Sequence, residues 1–469
     1  MGTTPTARTH EEHLGHIVFI TAAAAIGGFL FGYDSAVING AVTGIQRHFQ
    51  VGPVETGTTV AAALLGSAAG AWFAGRLADR LGRTRTMQIA ATVFAVSSIG
   101  QALPFAIWDL AIWRVVAGIA IGMASVTGPA YIAEVAPPAY RGRLGSFQQL
   151  AIVLGIATSQ LVNYVIAQLA GGDVNNPLGP LQAWQWMLGA CLIPALLFLL
   201  FATIIPESPR FLVAVGRTTE AHRVLREVEG EDVDVEARVG EIRSVLQSER
   251  KTTMRDLRGP KFGLQGIVWV GILLSMFQQF VGINVIFYYS SALWQSVGIE
   301  QSQSLLISFS TSIINIVGTF IAIALVDRLG RRPLLMTGSV GMAVALATAA
   351  WAFSAAGGAG EDVALPPLQG MVALIAAHVF VLFFALSWGV VVWVLLGEMF
   401  PNRIRATALS VAAAAQWISN WLITVTFPSL SEWNLSGAYV GYATFAVLSF
   451  LFVLFFVRET KGRRLEEMG

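Results

Sequence analysis

Twelve apolar stretches of more than twenty residues, parted by loops that hold nearly all the charge, leave this chain few ways to fold outside a lipid bilayer. They run at 17–40, 57–78, 86–106, 109–132, 145–169, 184–206, 265–290, 303–326, 334–355, 369–396, 405–428 and 438–458. A helix needs about 20 apolar residues to cross the hydrocarbon core, and within one helix the backbone satisfies its own polar groups. The expected fold is an all-α integral membrane protein with twelve transmembrane helices. Composition agrees, because hydrophobic residues make up 55% and charged residues only 12%. A soluble domain carries about 25% charged residues, and mean hydropathy here is +0.66. Soluble, disordered and collagen-like classes are excluded. No basic domain exists to bind nucleic acid. The single cysteine, Cys191, lies in an apolar stretch, so no disulfide framework exists.

The first stretch is too long for the core of a signal peptide and is expected to be a span. With the N-terminus in the cytoplasm, 27 of the 29 Lys and Arg residues fall on cytoplasmic segments; Arg47 falls outside and Arg114 within a span. This bias puts both termini inside, in a multi-pass protein of the cell membrane.

The chain also repeats itself. Gly75–Met87 (GRLADRLGRTRTM) and Ala324–Met336 (ALVDRLGRRPLLM) each join the second and third helix of a half. AEVAPPAYRGRLGSF from Ala133 and GEMFPNRIRATALSV from Gly397 each follow the fourth. The expected organisation is a six-helix half at 1–206, a cytoplasmic linker with short amphipathic helices at 207–263, and a second half with a short tail at 264–469. Parallel halves of this kind are a transporter plan. The repeats put Arg83, Glu134, Arg141 and Glu207 at inner helix ends of the first half, and Arg331, Glu398 and Arg403 at those of the second. Ion pairs among them would hold the inner mouth shut in an outward-open state and release it as the halves rock. The other reading is topology charge on a solvated face, which explains the arginines more easily than the acids.

Charge at bilayer depth needs a partner or a wet cavity. Asp34 and Arg114 both sit roughly 8–9 Å below the outer surface, at 1.5 Å per residue. Equal depth and opposite sign make them a candidate pair. A guanidinium holds a neighbouring carboxylate ionised, whereas an unpaired, desolvated carboxylate takes up a proton. Motion that makes and breaks the pair would load and release a proton; a static pair fixing helix 1 to helix 4 is the alternative.

Neutral amides both donate and accept hydrogen bonds, as a polyhydroxylated ligand requires. Gln160, Gln278, Gln279, Asn315 and Gln416 fall about 15–22 Å deep, near the midplane. Trp388 and Trp417 flank them, and Phe31 lies one turn from Asp34. Asn284 lies further out. Six steps of 100° set Gln278 and Asn284 about 240° apart on a straight helix, so helix 7 is expected to break near Gly282. Read singly, each amide could be an interhelical hydrogen bond. Gly66, Gly70, Gly118 and Gly122 read as helix-packing contacts, and His378 as a packed, hydrogen-bonded residue. No phosphate-binding loop, metal-ligand cluster or nucleophile–base pair stands out. No cofactor, metal or enzymatic activity is expected.

The chain resembles the sugar porters of the major facilitator superfamily over nearly its whole length. The stretches that carry the resemblance are GGFLFGYDSAVING (27–40), DRLGR at 79–83 and 327–331, PAYIAE (129–134), YRGRLGS (140–146), PESPRFL (206–212), QQFVGIN (278–284) and SWGVVVWVLLGEMFPNRIR (387–405). The nearest likeness is to bacterial proton-linked glucose and xylose permeases. The resemblance implies proton-coupled symport of a monosaccharide by alternating access, with glucose the first choice; xylose, galactose and plain uniport are the alternatives. Proton-linked members carry Asp in the FGYD motif, where facilitative ones typically carry Asn. QQxxGIN opens a mobile helix in the family, and Tyr288 and Tyr289 after it would form an outer gate. Related porters carry the helix 5 glutamine at either of two positions, so Gln160 shares that role with a neighbour. Val390 stands where the family pattern has Pro after Ser-Trp-Gly, a departure that bears on how sharply helix 10 bends. Only twelve residues follow Val457, which speaks against a tailed sugar sensor. The expected partners are a monosaccharide, protons and the bilayer, with the monomer as functional unit.

Overall fold

The computed structural model describes residues 5–137, 141–230, 232–248, 253–357, 364–401 and 403–461, with side chains except at 5–13, 141–143 and 145. The described chain is almost wholly helical. The first half holds α1 (Pro5–Phe49), α2 (Pro53–Leu81), α3 (Arg83–Ala102), α4 (Ile107–Val135), α5 (Arg141–Leu169), α6 (Ala183–Gly189) and α7 (Leu192–Ile204). Next come α8 (Pro209–Ala214), α9 (Thr218–Glu229) and α10 (Val235–Ser248). The second half holds α11 (Gly266–Phe280), α12 (Ile283–Ser296), α13 (Gln301–Leu329), α14 (Arg331–Ser354), α15 (Pro367–Ala385), α16 (Trp388–Met399) and α17 (Arg405–Phe456).

Twelve spans follow once the kinks are counted. The sixth is α6 and α7 in series, the seventh α11 and α12, and the tenth α15 and α16. α17 supplies the last two, because it bends at Asn434, whose backbone is non-helical. The seventh span breaks where the facing of its amides required. Gly282 between α11 and α12 has φ 85°, a conformation that glycine alone adopts without strain.

α1 runs well past both ends of its apolar stretch, since a helix continues into the interface wherever its polar residues find water. A short hairpin, β1 (Pro177–Leu178) paired with β2 (Leu181–Gln182), follows α5. It marks one end of the bundle, here the hairpin end; α8–α10 mark the other, the linker end. In α9 the buried residues Ala221, Val224, Leu225 and Val228 recur at helical spacing, so the linker turns one apolar stripe inward.

Within the first half α2 packs on α4 and α1 on α5; within the second α14 and α11 pack on α17. Small residues set the separation. A Cβ on Gly118 would lie 2.0 Å from the Ala63 carbonyl oxygen, and one on Gly66 2.1 Å from that of Val115. The halves meet through α1 on α12, α2 on α17 and α5 on α13.

Candidate functional site

The break at Gly282 gathers the amides. Gln278 is their hub: its Nε2 donates to the Trp388 carbonyl at 2.9 Å, and its Oε1 accepts from Gln416 at 2.8 Å and Gln279 at 3.4 Å. Asn284, from the start of α12, donates to Gln279 Oε1. Four amides from three helical segments therefore form one chain. Trp388 beside them is fixed by its indole N–H, which donates to Leu335 O and Ser339 Oγ. Trp417 meets Phe31 edge-on with ring centroids 5.9 Å apart, so the aromatic wall bridges the two halves. Asn315 is buried on α13 and, among the described residues, stays outside the amide chain.

Gln160 also stands apart. Its Oε1 accepts from Asn39 Nδ2 at 3.0 Å, and its own Nε2 reaches the Phe287 carbonyl at 3.4 Å. Asn39, fully buried on α1 and absent from the candidates above, ties the halves together. It also donates to Ser308 Oγ at 2.9 Å and accepts from the Ser291 backbone N–H at 2.8 Å. Further towards the hairpin, Gln301 accepts from Val174 N and donates to Thr43 Oγ1. These bonds close the hairpin-end mouth. Tyr288 and Tyr289 are buried and held to α17, Tyr288 by Asn420 at 3.3 Å and Tyr289 through the Thr424 carbonyl at 2.7 Å.

Asp34 and Arg114 do meet. The Asp34 Oδ2 lies 3.6 Å from Arg114 Nη1, with the side chains 2% and 3% exposed. Arg114 Nη2 donates to the Val60 carbonyl at 3.1 Å. Among the described residues, Asp34 Oδ1 and Arg114 Nε and Nη1 make no hydrogen bond. The contact is electrostatic and loose, too long for a hydrogen bond.

At the linker end the two halves carry the same device. Arg83 pairs with Asp79 at 3.2 Å and Glu134 at 2.8 Å, and donates to Ala78 O. Arg331 pairs with Asp327 at 3.1 Å and Glu398 at 2.6 Å, and donates to Val326 O. Glu207 accepts from the backbone N–H of Arg83 and Thr84 at the start of α3, where the helix dipole favours an anion. Glu459 does the same for Arg331 and Arg332 at the start of α14. Burial of the Glu459 carboxyl opposes ionisation, but the N–H groups of Lys461, Arg331, Arg332 and Thr460 outweigh it and hold the group below the usual carboxylate range. The matching hydroxyls, Ser208 and Thr460, donate to Glu134 and Glu398. Each of these networks lies within one half. Arg403 does not join; it lies 3.9 Å from Asp256 of the linker. The Arg141 side chain lies outside the described residues. His378 is packed as expected, 2.7 Å from Ser310 Oγ.

Residue by residue, the arrangement offers a buried carboxylate with a loosely held cation, a buried amide chain and a closed hairpin-end mouth. A family model described as "Sugar (and other) transporter" matches residues 20–469. The chain belongs to that family. It is 53% identical over 454 residues to the glucose transport protein of Synechocystis sp., covering 96% of this chain and 97% of that one. It is 38% identical over 492 residues to the D-xylose-proton symporter of Escherichia coli, covering 98% and 96%. Among solved structures, the inward-open xylose transporter XylE from E. coli superposes with a TM-score of 0.81 at 36% identity, covering 96% of this chain and 99% of that one. The partially occluded inward-open form gives 0.82, covering 96% and 100%. This chain is thus a multi-pass membrane protein with the twelve-span architecture of the major facilitator superfamily.

Proposed function

We propose that this protein imports a monosaccharide, glucose first, together with a proton by alternating access. It works as a monomer in the cell membrane with both termini cytoplasmic, and it makes and breaks no bond in its substrate. The linker end is then the cytoplasmic face, and the closed hairpin-end mouth is the sealed outer gate of an inward-facing state.

The reading is carried by the Asp34–Arg114 contact, buried and open at 3.6 Å, one helical turn from Phe31 at the aromatic wall. A charge in a dry span has to serve a pathway or be compensated in full, and this pair is compensated only in part. When α1 and α4 shift so that Arg114 withdraws, the carboxylate takes a proton; when Arg114 returns, the proton leaves. The amide chain from Gln278 to Asn284, with Gln416, supplies alternating donors and acceptors to sugar hydroxyls, and Trp388, Trp417 and Phe31 cover the ring faces. Asn315 and Gln160 complete the ring of amides as the halves rearrange. The glucose transport protein at 53% identity supports the hexose, and the xylose–proton symporter supports the coupling.

The energy suffices. A proton moving down 100 mV yields about 2.3 kcal/mol and one pH unit about 1.4 kcal/mol. Together these sustain a sugar gradient of roughly 500-fold. The test is a competition panel of labelled sugars against purified protein in liposomes, with and without an imposed pH gradient. Accumulation of glucose only with the gradient supports the reading; equal uptake in both conditions makes the protein a uniporter.

A further inference from the structure

A cavity opens at the linker end of the second half, on the stretch of α11 that precedes Gln278. It encloses about 890 Å³ between α11, α16 and the end of α17, within the size range of ligand pockets (about 300–1,000 Å³). Its walls are Trp269, Phe452, Phe455 and Phe456, and its rim carries Lys261 and Arg458. A neighbouring hollow of about 370 Å³ shares Gln265 and Pro401 with it and adds Arg255, Arg258 and Arg403. Among the described residues, five cations line this depression of two adjoining hollows, against the one carboxylate of Asp256.

The loop above the cavity is shaped for a lipid surface. Phe262 is 96% exposed and has φ 50°, a strained conformation for a bulky residue. The turn that imposes it is closed by Leu264 N donating to Lys261 O. Trp269 Nε1 also donates to Lys261 O at 2.8 Å, which fixes the lysine over the groove. A phenyl ring held fully outward beside Trp and Lys gains nothing in water and much at a membrane interface.

We propose that the depression is a binding site for one anionic phospholipid of the adjoining leaflet. Its phosphate sits among Lys261, Arg458 and the arginines of the neighbouring hollow, and an acyl chain lies along Trp269 and Phe455. The site stands on charge complementarity and on its membrane-facing loop, and does not depend on which sugar is carried.

The test uses full-length protein, delipidated in detergent and titrated with dioctanoyl phosphatidylglycerol, dioctanoyl phosphatidylcholine or glycerol 3-phosphate, with bound species counted by native mass spectrometry. One phosphatidylglycerol should persist at concentrations where phosphatidylcholine and glycerol 3-phosphate dissociate. The K261Q/R458Q variant should weaken it about 30-fold, at about fivefold per lost cation, while R223Q/R226Q in the linker leaves it unchanged. Equal retention of the two lipids would overturn the proposal, as would glycerol 3-phosphate binding as tightly as lipid. So would unchanged affinity in K261Q/R458Q, or equal weakening in R223Q/R226Q. The lipid comparison is made on the unaltered chain, so it stands even if the variant misfolds.

Discussion

Asp34 and Arg114 face each other at 3.6 Å in the first half, and among the described residues one carboxylate oxygen, Oδ1, is left with no hydrogen bond. A structural ion pair in so dry a place would be expected to close its geometry, because each unmet valence is costly. The open contact is what a carboxylate needs if it is to exchange its cation for a proton. Asp34→Asn should therefore abolish accumulation of labelled glucose against its gradient in liposomes, while counterflow exchange persists. Surviving accumulation would remove Asp34 from the coupling step.

Arg114→Gln leaves the Asp34 carboxyl buried with no cation, either charged and unpaired or holding a proton that it would not bind in the unfolded chain at neutral pH. The expected cost is about 3–5 kcal/mol of stability, read as a fall in melting temperature of the purified protein. Adding Asp34→Asn to that variant should restore most of the loss. If the double variant is no more stable than the single one, the two residues are not energetically coupled.

Gln278 holds Trp388, Gln279 and Gln416 in one network. Gln278→Ala should weaken glucose binding by about 1–3 kcal/mol, the range for unpaired polar groups, measured by calorimetry. Asn420→Ala, at the Tyr288 contact, should change it less.

Asn39 makes two side-chain hydrogen bonds across the closed mouth, to Ser308 and the Ser291 backbone, and one within the first half, to Gln160. Asn39→Ala therefore removes two bonds from the seal. At about 1 kcal/mol each, their loss should shift the conformational balance towards outward-facing by one to two decades. Distances between spin labels on the hairpin-end rims of the two halves would report the opening. An unchanged distance distribution would show that the seal lies elsewhere.

Glu459 is held below the usual carboxylate range by the N–H groups around it. A depressed folded-state value means its stabilisation is complete above the unfolded value of about 4.3 and is lost as pH falls through the lower, folded-state value. Melting temperature should thus decline with acidification below that range, and Glu459→Gln should lower it at neutral pH and flatten the decline. An acid limb that is as steep in the variant would assign it to other carboxylates.

Much of this architecture could be read from residue order alone, because the bilayer restricts both span length and loop charge. The break at Gly282 followed from angular arithmetic on Gln278 and Asn284. The interruption of the tenth span did not follow so readily, since Val390 replaces the familiar proline. The chain breaks instead at Ser387, which has non-helical φ −133° and ψ −92° and whose hydroxyl donates to the Phe383 carbonyl.

Asn39 was not legible in the sequence because choosing among buried amides requires knowing which face of α1 meets α12, and the unbroken apolar pattern of the span does not record it. The available signal was a lone amide in VING, five residues beyond Asp34. Glu459 escaped because the repeat is degenerate there. Glu207-Ser208 and Glu459-Thr460 share only an acid followed by a hydroxyl, and the equivalence shows only once each is seen capping the third helix of its half.

The decisive measurement is proton movement driven by sugar alone. Glucose added outside de-energised liposomes that contain the protein and a pH-sensitive dye should acidify the lumen, and Asp34→Asn liposomes should stay unchanged while still exchanging sugar. A lumen that holds its pH with the unaltered protein, or acidifies equally with the variant, would contradict coupling through Asp34.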